Sequence, residues 1–343
     1  MKAGLSHFAE TVRLTLRAAV AIGLAGAGLR LAAEEVPLRL WGNDRMGAVV
    51  ARWEAGYTRE HPGARFENKL MGSDTGMAGL YTGTGDIAFL GREINPVEVM
   101  AFAWVYRYKP EGIAVVRGSL EAPGQSPALA VIVHRDNPLS ALTFAQLDAI
   151  FSCAPRRAAA PARSWSQIDP APGVAALGPI SACAREVSSG TAVFFRDHVM
   201  RGNRKWAWEH LREFQDLRQA DGSVDDADRQ IAAAVAADRG AIGISTLRYV
   251  DARVKVLAIS GEDGAAVLPT ESTVMTGQYP LARTVYAYVN RTPGRALDPR
   301  VSEFLHYVLS RAGQQEVVAS GDFLPLSTRY AEVGQAQLAR TSP

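Results

Sequence analysis

The sequence predicts an α/β fold of two lobes, and three observations predict it. Short β-rich runs alternate with helical ones along the chain. The first three strand-like runs end in small or polar residues, Gly42-Asn43-Asp44-Arg45, Gly72-Ser73-Asp74-Thr75-Gly76 and Gly91-Arg92-Glu93, and such strand ends are where α/β sheets bind ligands. A Gly-, Pro- and Ser-rich stretch from Ser119 to Pro127 then interrupts the alternation and reads as a crossover between lobes. At 343 residues, 48% hydrophobic and 21% charged, the chain has apolar material for two cores.

Taken in order, Val36 to Trp41 alternates as a short strand. Met46, Val49, Val50, Trp53 and Tyr57 then fall on one apolar helix face, which His61-Pro62-Gly63 ends. Arg65 to Met71 is strand-like, and Met77, Leu80 and Tyr81 mark a short helix after the second polar loop. Asp86 to Leu90 is an unbroken apolar strand of the parallel-sheet kind. Gly112 to Val116 and Ala128 to Val133 are β-rich runs on either side of the crossover. Leu142 to Phe151 reads as a helix capped by Thr143, followed by a loop from Pro155 to Pro172. Arg229 to Ala237 is helical, and Gly240 to Ser245, Val254 to Ile259 and Thr284 to Val289 are strand-like. A long amphipathic helix from Asp298 to Ser310 completes the regular structure.

The first 33 residues differ from the rest. Lys2, Arg13 and Arg17 precede an apolar run from Ala18 to Leu29, and Ala25-Gly26-Ala27 offers a cleavage site, so residues 1–33 read as a secretory signal peptide and the protein as exported. The run is shorter than the roughly 20 residues that span a bilayer. Without residues 1–33 the formal charge falls to about −1, since Lys2, Arg13, Arg17, Arg30 and Glu10 go with them. No run of like charges is long enough for a nucleic-acid partner. Cys153 and Cys183 are the only cysteines and can pair in an oxidising compartment or stay as free thiols. Neither Cys-x-x-Cys nor His-x-x-x-His spacing occurs, so no metal site and no cofactor is signalled.

One stretch carries the chemistry. In Arg185-Glu-Val-Ser-Ser-Gly-Thr191, Ser189 is a good N-cap, Gly190 has no Cβ to keep a ligand off the backbone, and Thr191 opens an apolar helical run. Unpaired N–H groups and two hydroxyls thereby meet at a helix start suited to an anion. Arg185, four residues upstream of Ser189, can pair an oxyanion bidentately. A plain helix cap is the alternative reading. Ser73 in the second polar loop repeats the pattern, and Asp44 and Arg45 stand at the mouth of the first helix, where Asp44 is also a natural cap.

Together these residues resemble the periplasmic phosphate-binding proteins that serve ABC transporters. Arg185-x-x-x-Ser189-Gly190-Thr191 is similar to that family's central phosphate motif, and Gly72-Ser73 resembles its second phosphate loop. Trp53 with Tyr57, the helix ending in Ile150-Phe151 before Trp165, Gly240-Ala241-Ile242-Gly243, and Phe304 to Pro325 follow in the family's order. The resemblance implies two α/β lobes with mixed sheets flanked by helices and a two-strand hinge. It places residues 34–122 with 280–335 in one lobe and 123–279 in the other, with 336–343 as a flexible tail. It implies a monomeric, non-enzymatic binding protein that holds inorganic phosphate or a similar oxyanion between its lobes and delivers it to an inner-membrane ABC permease. The implied ligand residues are Asp44, Arg45, Ser73, Arg185, Ser189, Gly190 and Thr191. Two departures stand out. The family's first loop has Thr-Phe where Asp44-Arg45 stands, and its proton-accepting Asp after the third strand is replaced by Gly91, which leaves Asp44 as the expected acceptor. A binder of another oxyanion, an envelope sensing protein on the same fold, and a secreted hydrolase with Ser189 as nucleophile are the competing expectations.

Overall fold

A computed structural model describes residues 36–120, 127–262 and 264–340; the predicted signal peptide lies outside the described residues. Two five-stranded mixed sheets dominate it. The first contains β1 (Leu38–Gly42), β2 (Phe66–Leu70), β3 (Ile87–Leu90), β4 (Glu111–Arg117) and, from far along the chain, β14 (Thr284–Val289), in the order β2-β1-β3-β14-β4. The second contains β5 (Ala130–His134), β7 (Ser181–Arg185), β8 (Leu211–Phe214), β11 (Ala241–Ser245) and β12 (Val254–Val256), in the order β12-β5-β11-β7-β8. Two small pairs, β6 (Ala141–Thr143) with β13 (Ala258–Ser260) and β9 (Leu217–Arg218) with β10 (Val224–Asp225), complete the strands. In each sheet four strands run one way and one runs against them, β14 in the first and β5 in the second, so the carboxyl ends of β1, β2 and β3 point the same way, as do those of β7, β8 and β11.

The first lobe packs helices on both faces of its sheet. On α1 (Gly47–Glu60), Val49, Val50, Trp53 and Tyr57 are buried, as the helical spacing requires. The Trp53 indole also donates to the Gly313 carbonyl at 2.9 Å, which ties α1 to α10 (Arg311–Ser320). Burying that ring is worth several kcal/mol; truncation to Ala costs about 3–5 kcal/mol in such sites. Next come α2 (Ser73–Tyr81) and α3 (Pro96–Tyr106), the latter started by a capping box of Asn95 and Glu98. At the other end of the chain α9 (Pro299–Leu309) and α11 (Thr328–Ala339) cover the same core. The tail predicted to be flexible from 336 is instead helical to Ala339, because Leu338 is buried in that core and Arg291 holds the Arg340 carbonyl.

The second lobe carries α4 (Phe144–Phe151), α5 (Pro172–Ala175), α6 (Gly190–His198), α7 (Ala227–Ala237) and α8 (Glu271–Met275). Its core gathers Phe151, Trp165, Phe194, Phe195 and Trp206. Leu142, expected to be helical, lies in β6, and Thr143 caps α4 through its Oγ on the Gln146 N–H at 3.1 Å. The cysteines are unpaired: Cys183 is buried in β7 and Cys153 is exposed. Most of the predicted crossover, residues 121–126, lies outside the described residues; on either side of it Gly118 N–H donates to the Arg283 carbonyl at 3.0 Å and Leu129 N–H to that of Leu281 at 3.1 Å. Among the described residues no helix is long and apolar enough to cross a membrane.

Candidate functional site

A cleft of 640 Å³ lies between the lobes, and its lining residues follow the carboxyl ends of β1, β2 and β3 on one side and of β7, β8 and β11 on the other. Two walls of different character result.

On the first wall β1 ends at Gly42 (φ 144°), whose absent Cβ would stand 2.1 Å from the Phe89 carbonyl oxygen. That close crossing delivers Asn43 to the cleft. Its Oδ1 accepts the Arg45 N–H at 2.7 Å, so Asn43 caps the short 3₁₀ turn Asp44–Met46. Its Nδ2 donates to Ser73 Oγ at 3.1 Å, and the Gly91 N–H donates to the same oxygen at 3.1 Å. With both lone pairs engaged, the Ser73 hydroxyl is left to act as a donor. A Cβ at Gly91 would lie 2.1 Å from the Asn43 amide nitrogen, so Asn43 fills the space that a larger residue there would need. Arg45 and Arg92 also line this wall; Arg92 is paired with Glu98 at 2.8 Å and with Asp74.

On the second wall Ser189 caps α6, its Oγ accepting the Ala192 N–H at 3.2 Å. Gly190 and Thr191, whose first-turn N–H groups have no partner within the helix, line the cleft beside it. Arg185, the last residue of β7, is gripped by three carboxylates: Asp228 and Asp226 on Nη1 at 2.9 and 3.4 Å, and Asp216 on Nη2 at 2.8 Å. Burial works against its charge most strongly, and Asp228, Asp216 and Asp226 outweigh it, holding the guanidinium above its ordinary pKa. Asp228 is pushed up to about 6, mainly by burial, with Asp226 and Asp216 adding repulsion and Arg185 only partly offsetting it. Asp226 has both oxygens committed, Oδ1 to the Asp228 N–H at 2.8 Å and Oδ2 to the Tyr249 hydroxyl at 3.0 Å.

Such an arrangement offers fixed donors from two helix starts and two walls to a small anion. The family described as PBP superfamily domain matches residues 34–312. The chain belongs to the PBP superfamily. Within it the phosphate-binding protein PstS of Pseudomonas aeruginosa is 32% identical over 297 residues, covering 85% of this chain and 83% of that protein. Two solved structures share the fold: PstS from Borrelia burgdorferi, at a TM-score of 0.58 and 18% identity over 86% of this chain and 100% of that one, and an ABC-type phosphate transport receptor from Vibrio cholerae, at 0.52 and 20% over 84% and 99%.

Six residues expected from the sequence, Arg45, Ser73, Arg185, Ser189, Gly190 and Thr191, line this PBP cleft together. Asp44 does not. Its side chain is 63% exposed and its nearest cation is Arg45 at 3.9 Å, because the turn directs Asn43 inward and Asp44 out. Nor does Asp44 cap the helix: Asn43 caps the 3₁₀ turn that leads into it, and α1 itself starts from Met46 with no side-chain cap. Sequence reasoning missed Asn43, Arg283 and the three aspartates. An Asx residue just before a helix start is the signal that could have found Asn43. Asp226 and Asp228 read as ordinary acids of a helix first turn, and nothing local singles out Arg283.

Proposed function

We propose that this PBP-superfamily chain captures inorganic phosphate between its lobes, residues 34–122 with 280–335 and residues 123–279, and delivers it to an inner-membrane ABC permease. The observation that carries the reading is the convergence of Ser73 and of the Ser189-Gly190-Thr191 helix start, from opposite walls, on one cleft that also holds Arg45 and Arg185. The PstS name of a 32% identical relative supports the ligand. The chain acts as a monomer in the periplasm, to which residues 1–33 direct it.

Ligand contacts fall to Ser73, Arg45, Arg185, Ser189, Gly190 and Thr191. Phosphate near neutral pH keeps a proton that sulfate lacks, so one acceptor facing the ligand separates the two anions. The first wall lines the cleft with no carboxylate, which moves the acceptor to the second wall. There Asp226 is committed and Asp228 is buried, whereas Asp216 uses only Oδ1, for Arg185 and the Ala227 N–H, and is half-exposed. Its Oδ2 is the acceptor for the phosphate proton. Hydrolysis is not favoured: Ser189 Oγ serves as a cap, and no histidine lines the cleft among the described residues. Calorimetric titration with phosphate, arsenate, sulfate and a phosphonate tests the reading. Saturable binding of phosphate and arsenate with weak sulfate is expected; no heat with any of the four would end it.

A further inference from the structure

Arg283 occupies an unusual place. It sits where the second connecting segment re-enters the first lobe, one residue before β14, and its carbonyl receives the Gly118 N–H of the first connecting segment. Its side chain is only 5% exposed, yet it lines the cleft. A guanidinium withdrawn from water this far needs acceptors for its five N–H groups. Arg283 has one, Glu93 Oε2 at 3.2 Å on Nη2, and its Nε is buried with no acceptor. Meanwhile its carbon stands 5.2 Å from the ring centre of Phe194, one turn into α6 beyond Thr191. The cation therefore touches the first lobe through Glu93 and the second through Phe194.

We propose that Arg283 is a ligand-contacting residue at the floor of the cleft, donating to the bound oxyanion and tying its occupancy to the relative position of the lobes. The inference rests on the reading that the cleft takes an oxyanion. An anion held by Ser73 on one side and by the Gly190 and Thr191 N–H groups on the other supplies the acceptor that Arg283 lacks. Because Phe194 and Glu93 belong to different lobes, the arrangement that surrounds the guanidinium is the one in which both lobes meet the ligand, and an anion that stabilises it shifts the population toward that state.

The test is calorimetry and thermal melting of the whole protein with inorganic phosphate. Arg283→Gln weakens phosphate binding about 10- to 100-fold, the range for a hydrogen bond to a charged group, and it shrinks the phosphate-induced rise in melting temperature more than it changes the melting of the ligand-free protein. Glu93→Gln removes the competing carboxylate while leaving the arginine in place, so phosphate binds about 3- to 10-fold more tightly. A role confined to hinge packing would instead lower ligand-free stability in both variants and leave affinity alone. Wild-type binding with unchanged affinity in Arg283→Gln, or weaker or unaltered binding in Glu93→Gln, overturns the proposal. Failure of the wild type itself to bind phosphate defeats the functional reading on which it rests.

Discussion

The two walls of the cleft solve the same electrostatic problem in opposite ways. On the first, Arg92 and Arg283 are balanced by Asp74, Glu98 and Glu93, acids outside the lining, so what faces the ligand is a set of donors around Ser73. On the second, Arg185 is balanced by Asp216, Asp226 and Asp228, which all line the cleft. The first wall is thus built to attract an anion and the second to inspect it. Attraction needs only positive charge and N–H groups, whereas telling one oxyanion from another needs an acceptor placed where the wrong ligand brings negative charge against it.

The largest expected effect comes from removing the cation that the second wall is built around. Arg185→Ala leaves three carboxylates uncompensated at the anion site, and phosphate affinity falls by about 3–5 kcal/mol with a lower melting temperature of the ligand-free protein. Calorimetry and a melting curve check both parts, and an unaltered affinity would erase the distinction between the walls. Asp216→Asn sharpens the distinction. The amide donates to an unprotonated oxygen where the carboxylate could not, so the phosphate-to-sulfate affinity ratio drops about 10-fold or more. Asp44→Asn, on the exposed side of the first turn, leaves that ratio as it was; the reverse pattern would return the acceptor to the first wall.

A smaller effect is read from pH. The folded-state pKa of Asp228, about 6, lies above its ordinary 3.8, so its contribution to stability is present in full below about pH 4 and is lost as pH rises through 6. Asp228→Asn abolishes that slope. Denaturant midpoints taken from pH 4 to 7.5 should show the variant gaining on the wild type by about 2 kcal/mol as pH rises. Parallel curves would mean that Arg185 neutralises Asp228 fully.

The amphipathic and the punctuated parts of the chain were legible in the sequence. The Val49–Tyr57 stripe, the apolar β3 and the Ser189 cap announce themselves because one local rule decides each. Helix α3 was not legible: Phe102 is buried but Val97, Met100, Trp104 and Val105 are exposed, so its apolar residues show no one-sided period. The run from Val254 to Ile259 divides between two sheets, since β12 pairs with β5 and β13 with β6, a choice made by distant partners. The site divides the same way. Donors at helix starts carry a local signature, whereas Asn43 displaces Asp44 through the single tight crossing at Gly42, and Arg283 and Asp216 reach the cleft only through tertiary placement.

The central claim is that one oxyanion is held by donors from both walls at once. Small-angle scattering of the protein with and without saturating phosphate tests it most directly. The account predicts a smaller radius of gyration with phosphate, because a ligand shared by Ser73 and by the Gly190 and Thr191 N–H groups favours the closed arrangement. Saturated binding with no change in radius would contradict it, placing the anion on one wall alone.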